Sequence, residues 1–136
     1  MNVTRRTMYG LQAAVDIAAH QAEGPVKLRE ISARLGRSKP FLGQILAALN
    51  FSGILETRRG PHGGYLLRRS ATEITLFDIL SITEGPMRLV PCVGTPGGAD
   101  EACPFAGRCP AGPVWADIHD QMLNLFRGVT LHDLCG

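Results

Sequence analysis

The sequence predicts a mainly α fold: a winged helix-turn-helix with a small β-hairpin wing and a long C-terminal dimerisation helix. Three observations predict it. Two short amphipathic segments meet at a turn containing Gly36, the pattern of a helix-turn-helix. Two strand-like runs flank Arg58-Arg59-Gly60-Pro61-His62-Gly63-Gly64, as in a hairpin. Near the C-terminus Trp115, Ile118, Met122, Leu125 and Val129 are spaced 3, 4, 3, 4, a seam suited to packing against another helix. At 136 residues the chain allows one compact domain, or one small domain with an attached assembly element.

The elements follow in order. From Thr4 to His20, Met8, Leu11, Val15 and Ala18 recur at helical spacing and predict one buried stripe. Gly24 and Pro25 end that helix. In KLREISARLG, Leu28, Ile31 and Leu35 share a face, and Gly36 suits a left-handed stop. Ser38 is the predicted N-cap of the next helix and Pro40 fits its first turn, where no N–H is needed. Phe41, Ile45, Leu46 and Leu49 are expected inside, with Lys39, Gly43, Gln44 and Ala47 outward, and the helix should end near Asn50. Ile54–Thr57 and Tyr65–Arg68 form the hairpin, placing arginines at or beside its tip. Thr75-Leu-Phe-Asp78 reads as a capping box opening a helix that Gly85-Pro86 terminates. After Pro113 comes the long helix, then a last turn capped by Thr130 and Asp133. Because an intramolecular partner is scarce this late in the chain, the seam predicts a two-fold dimer.

Charge locates the partner. Residues 1–70 carry eleven Lys/Arg against four acids, and residues 71–136 carry three against eight. The first half is therefore +7 and the second −5, which directs the search for a polyanion to the helix-turn-helix and wing. Gln44 can pair bidentately with adenine, and Lys39 can hold phosphate or guanine. Arg58 and Arg59 flank the wing tip, Arg59 suits a narrow minor groove, and His62 at the tip suits a phosphate or groove contact. His119 reads as a packing or surface histidine. No plausible catalytic dyad occurs, so no enzyme is expected. Gln12, Asp16 and His20 interrupt the apolar N-terminus, so neither a signal peptide nor a membrane span fits and a cytoplasmic protein is expected.

Between Gly85 and Pro113, glycine and proline supply 12 of 29 residues, so no helix or strand orders this stretch from within. Cys92, Cys103 and Cys109 lie in it. Three convergent thiolates can hold a soft metal and replace the missing core of such a loop. From the cysteines alone, a structural zinc with a borrowed fourth ligand and thiols cycling through a disulfide are equally open.

The start MNVTRRTMYGLQAAVDIA, the segment ISARLGRSKPFLGQILAALNFSGIL, the wing RRGPHGGYLL, the cysteine loop and VWADIHDQMLNLFRGVTLHDL resemble the IscR/NsrR/RirA-type (Rrf-two) family of bacterial winged-helix regulators. The resemblance covers nearly the whole chain. It implies a homodimeric DNA-binding transcriptional regulator on a palindromic double-stranded operator. It also implies an iron–sulfur cluster, 2Fe-2S or 4Fe-4S, on Cys92, Cys103 and Cys109, reporting iron, cluster supply, redox state or nitric oxide. For the DNA contacts it points to Ser38, Gln44 and Arg59. The implied division is a DNA-binding domain over 1–84, a cluster loop over 85–113 and a dimerisation helix with its C-terminal turn over 114–136.

This sequence departs from the family pattern. Ten residues separate Cys92 from Cys103 where five are usual. Gly112 takes the place of the histidine ligand of IscR-like members, and Met8 that of the aspartate of NsrR-like members. Candidates for the fourth position are Cys135, Asp100, Glu101, a group from the partner subunit, or a small exogenous thiol or water. Pro40 and Gly43 replace the serine and glutamate of IscR-like recognition helices, so the target sequence is expected to differ. The alternatives are a metal-free thiol/disulfide regulator and, further off, a small electron-transfer protein.

Overall fold

The computed structural model describes residues 2–93 and 103–135. Among them the chain forms α1 (Arg5–His20), a 3-10 turn (Gln21–Glu23), α2 (Leu28–Leu35), α3 (Lys39–Phe51), β1 (Leu55–Arg58), β2 (Gly64–Leu67), α4 (Leu76–Thr83), α5 (Gly112–Gly128) and α6 (Leu131–Cys135). The strands pair antiparallel with Leu55 opposite Leu67 and Arg58 opposite Gly64. This is the expected winged helix-turn-helix with a long C-terminal helix.

The core forms where α1 packs against α3, α4, α6 and the wing. Ile17, Ile31, Leu42, Ile45, Leu46, Leu49, Leu55, Ile74, Ile79 and Leu131 are buried there, each contributing about 1.5–3 kcal/mol. The expected face of α1 is rotated, and in α3, where Ile45, Leu46 and Leu49 are buried as expected, one position differs. The inner face of α1 is Thr7, Gly10, Ala13, Ala14 and Ile17, while Met8 is 44% exposed and Leu11, Val15 and Ala18 lie on its flank. Close approach decides this: a Cβ at Gly10 would lie 3.1 Å from Ile45 Cγ2, so the small residues admit α3 and the bulky ones cannot. In α3, Leu42 is buried and Phe41 is turned outward, its ring edge against Tyr9.

Local signals close the other elements. Thr75 Oγ1 accepts from Asp78 N at 3.2 Å while Thr75 N donates to Asp78 Oδ2 at 2.9 Å, the predicted capping box. The same exchange joins Thr130 and Asp133 ahead of α6. α6 then lies along α1, with Leu131 in the common core.

The two ends of the helical frame are tied through Glu84. Its Oε1 accepts from Thr4 N at 2.7 Å, Thr4 Oγ1 at 2.8 Å and Thr7 Oγ1 at 2.6 Å, joining the start of α1 to the residue that follows α4. These donors, the Thr7 hydroxyl first, hold the Glu84 carboxyl below its ordinary value of 4.5. A depressed acid adds stability that is present above its ordinary value and is lost as pH falls through the folded one. Glu84→Gln is therefore expected to destabilise by about 1 kcal/mol near neutral pH, measured by urea unfolding. The gap should close as pH drops below 4.5; a gap independent of pH would show that charge is not its source.

Candidate nucleic-acid interface and cysteine loop

The helix-turn-helix is fixed from both sides of its turn. Gly36 takes φ 64° at the end of α2, the left-handed position that glycine fills without strain. The N–H groups of Gly36 and Arg37 both donate to Ser32 O. The Arg37 guanidinium sits 4.3 Å over the Tyr9 ring, and Tyr9 meets Phe41 edge-on at 5.4 Å, so α1 holds the start of α3. Behind the turn, Asp16 on α1 accepts from Arg34 on α2 through two bonds, Nε at 2.7 Å and Nη2 at 2.8 Å. Ser38 occupies the N-cap position of α3, but its hydroxyl makes no capping bond, contrary to the usual service of such a serine.

The wing is braced against the other end of α2. Val26 and Tyr65 exchange backbone bonds at 2.9 and 2.8 Å, in effect a third short strand. Lys27 Nζ donates to Pro61 O at the wing tip at 2.7 Å. A concavity of about 480 Å³ lies between tip and helix, lined in part by Lys27, Arg58 and Pro61. Burial pushes the Tyr65 phenol up.

The DNA-contact candidates all reach the surface: Ser38, Lys39, Gln44, Arg58, Arg59 and His62 are exposed. Ser38, Lys39 and Gln44 sit at the N-terminal half of α3; Arg58, Arg59 and His62 sit on the wing. Arg58 Nε lies 3.7 Å from Glu56 Oε1, a weak exposed pair. Sequence reading passed over Tyr9, Lys27 and the Asp16–Arg34 pair. Asp16 was the legible one: an acid among Ala13, Ala14 and Ile17 demands a cation. Tyr9 and Lys27 carry no local signal, since their partners lie 28 to 34 residues away.

The cysteines flank a loop that leaves α4 and enters α5. Cys92, Cys103 and Cys109 are half-buried free thiols. Cys103 O accepts from Ala106 N at 3.1 Å, and Cys109 O accepts from Gly112 N at 3.2 Å, so turns fix both thiols ahead of α5. A Cβ at Gly112 would lie 3.7 Å from Cys109 Cβ. Cys135 is exposed on α6, its Sγ 4.0 Å from Val15 O on α1. Asp100 and Glu101 lie outside the described residues. Among the described residues, no three His, Cys, Asp or Glu side chains converge as a metal-holding group. By donor chemistry the three soft thiolates suit an iron–sulfur centre. On α5, Val114, Trp115, Ile118 and Leu125 are open to solvent. No helix among the described residues is long and apolar enough to cross a membrane.

A recognition helix beside a braced, arginine-bearing wing defines a winged-helix regulator of transcription. The chain belongs to the Rrf2 family, described as iron-dependent transcriptional regulators, whose profile matches residues 3–136. Over 134 residues it is 34% identical to the HTH-type transcriptional regulator IscR of Pectobacterium carotovorum subsp. carotovorum strain PC1, covering 98% of this chain and 79% of that one. Its fold is similar to that of T. potens IscR, with TM-score 0.73, 30% identity, and coverage of 98% of this chain and 85% of the other. It is also similar to CymR (YrzC), the global cysteine regulator of B. subtilis, with TM-score 0.81, 27% identity, and coverage of 99% and 96%.

Proposed function

We propose that two copies of this chain bind an imperfectly palindromic operator in the cytoplasm, and that an iron–sulfur cluster on Cys92, Cys103 and Cys109 sets the affinity. The observation that carries this reading is the placement of three free, half-buried thiols on one loop between α4 and α5. When bound, the cluster supplies a centre that responds to oxidants, nitric oxide or iron supply. The protein's own residues do the rest. Residues 1–84 form the DNA-binding head, 85–113 the loop, and 114–136 the dimerisation segment. The open face of α5 is the seam between copies, because Trp115, Ile118 and Leu125 present apolar surface there. Gln44 and Lys39 read the major groove, with Ser38 beside them, while Arg58, Arg59 and His62 follow the backbone and minor groove. A change in the loop that misplaces the two recognition helices by about 1.4 kcal/mol lowers affinity tenfold.

Cys92→Ala, Cys103→Ala and Cys109→Ala are each expected to abolish iron binding and shift operator affinity, read by iron analysis and fluorescence anisotropy. Full iron content in any one variant removes that cysteine from the ligand set. Arg59→Ala is expected to cost about 1–3 kcal/mol of operator affinity with iron content unchanged; unchanged affinity at moderate salt removes the wing from the interface.

A second reading, thiol–disulfide sensing without metal, draws on the four free thiols and on the likeness to CymR. It predicts zero iron throughout, with the same Cys→Ala changes altering only the oxidised protein.

A further inference from the structure

Glu84 follows α4 directly, and at Gly85, φ 76°, the chain turns away into the stretch that carries the cysteines. One oxygen of Glu84, Oε1, takes all three bonds from the start of α1: Thr4 N at 2.7 Å, Thr4 Oγ1 at 2.8 Å and Thr7 Oγ1 at 2.6 Å. Thr7 is 1% exposed, and its hydroxyl also pairs with that of Thr83 in the last turn of α4. The first turn of α1 is therefore fastened to the end of α4 through a single carboxylate oxygen.

α1 in turn sets the place of α3. Gly10, one turn beyond Thr7, touches both neighbours: an added Cβ would lie 3.1 Å from Ile45 Cγ2 on α3 and 3.4 Å from Thr83 Cγ2 on α4. Packing this tight leaves α1 no slack against either helix. Beside it, Tyr9 meets Phe41 edge-on at 5.4 Å and lies 4.3 Å under the Arg37 guanidinium. Arg37 and Phe41 bracket Ser38 and Lys39 at the start of α3.

We infer that Glu84 is a positioning residue for DNA binding: its carboxylate oxygen locks the first turn of α1 to the end of α4, and α1 sets the start of the recognition helix. The inference rests on the reading of α3 as the helix that meets DNA. Charge and position make opposite predictions for Glu84. By charge alone, removing a carboxylate from a protein that binds a polyanion raises affinity. Losing a tie that places the recognition helix lowers it.

The test uses the intact protein purified without oxygen and a labelled duplex selected by wild-type protein from a randomised pool. Glu84→Ala is expected to weaken duplex binding about tenfold, within the range for residues that act through packed networks. Glu84→Gln keeps an acceptor oxygen for the same three donors and should stay within about threefold of wild type. Thr7→Val cuts the tie from the α1 side and is expected to weaken binding as Glu84→Ala does, so the result does not hang on whether Glu84→Ala folds. Without DNA, both of these variants should shift the ¹⁵N amide signals of Lys39 and Phe41, which a loss of stability alone does not do in protein that is still folded. The inference is overturned if the folded variants bind the duplex like wild type, or if they bind it more weakly with both amide signals unmoved. Wild-type protein that selects no duplex would sink the DNA-binding reading instead, and the amide signals would still decide whether Glu84 positions α3.

Discussion

Gly64→Ala is expected to detach the wing and to lower operator affinity at least about tenfold. Gly64 opens β2 at φ 152°, and a Cβ there would lie 2.6 Å from Val26 O and 2.7 Å from Val26 C. Neither is the loose end of a side chain. Both belong to the backbone that Tyr65 bonds at 2.8 and 2.9 Å, so relief means pulling β2 away from Val26. Its neighbour offers no slack, because a Cβ at Gly63 would overlap the Arg58 carbonyl oxygen. Strain of this kind costs about 1–3 kcal/mol, and losing the wing's arginine contacts adds to the effect on binding. Urea unfolding and fluorescence anisotropy on the operator separate the two losses. Retention of wild-type affinity would mean that the wing does not reach DNA.

Arg34→Leu is the second large effect, expected at about 2 kcal/mol of folding stability. Asp16 is 8% exposed and accepts both of its strong bonds from Arg34; afterwards its carboxylate keeps, among the described residues, only His20 Nδ1 at 3.6 Å. Breaking a buried pair from one side leaves a carboxylate without compensation, worth about 3–5 kcal/mol when both ends are buried. Arg34 is 35% exposed, and solvent screening reduces that figure. Adding Asp16→Leu should recover part of the loss, because the orphaned charge goes with it. A double variant no better than Arg34→Leu alone would show that packing, not charge, held α1 to α2.

The fold was legible where local chemistry dictates it. Gly36, the capping box of Thr75 and Asp78, and the glycines of the wing act within a few residues, and each element they announce is present. Helix faces were less legible. Hydropathy counts bulk, whereas α1 buries its smallest residues, Gly10, Ala13 and Ala14, because α3 comes too close for larger ones. Phe41 misled for a different reason: its ring is drawn sideways to Tyr9, and Leu42 fills the core in its stead. Braces between distant residues, Lys27 to Pro61 and Arg37 to Tyr9, left no trace in any window of sequence. The cysteines were conspicuous by type, but spacing alone says nothing of which other groups join them, nor that His119 is buried with Nδ1 unpaired among the described residues.

In the proposed function, a cluster on the cysteine loop governs DNA binding. Protein purified without oxygen should be brown, with iron and acid-labile sulfide in comparable amounts, and chelation should remove the colour and shift operator affinity together. Colourless protein, or protein whose operator affinity is identical before and after chelation, would rule out control by a cluster and leave a winged-helix regulator with no cluster input.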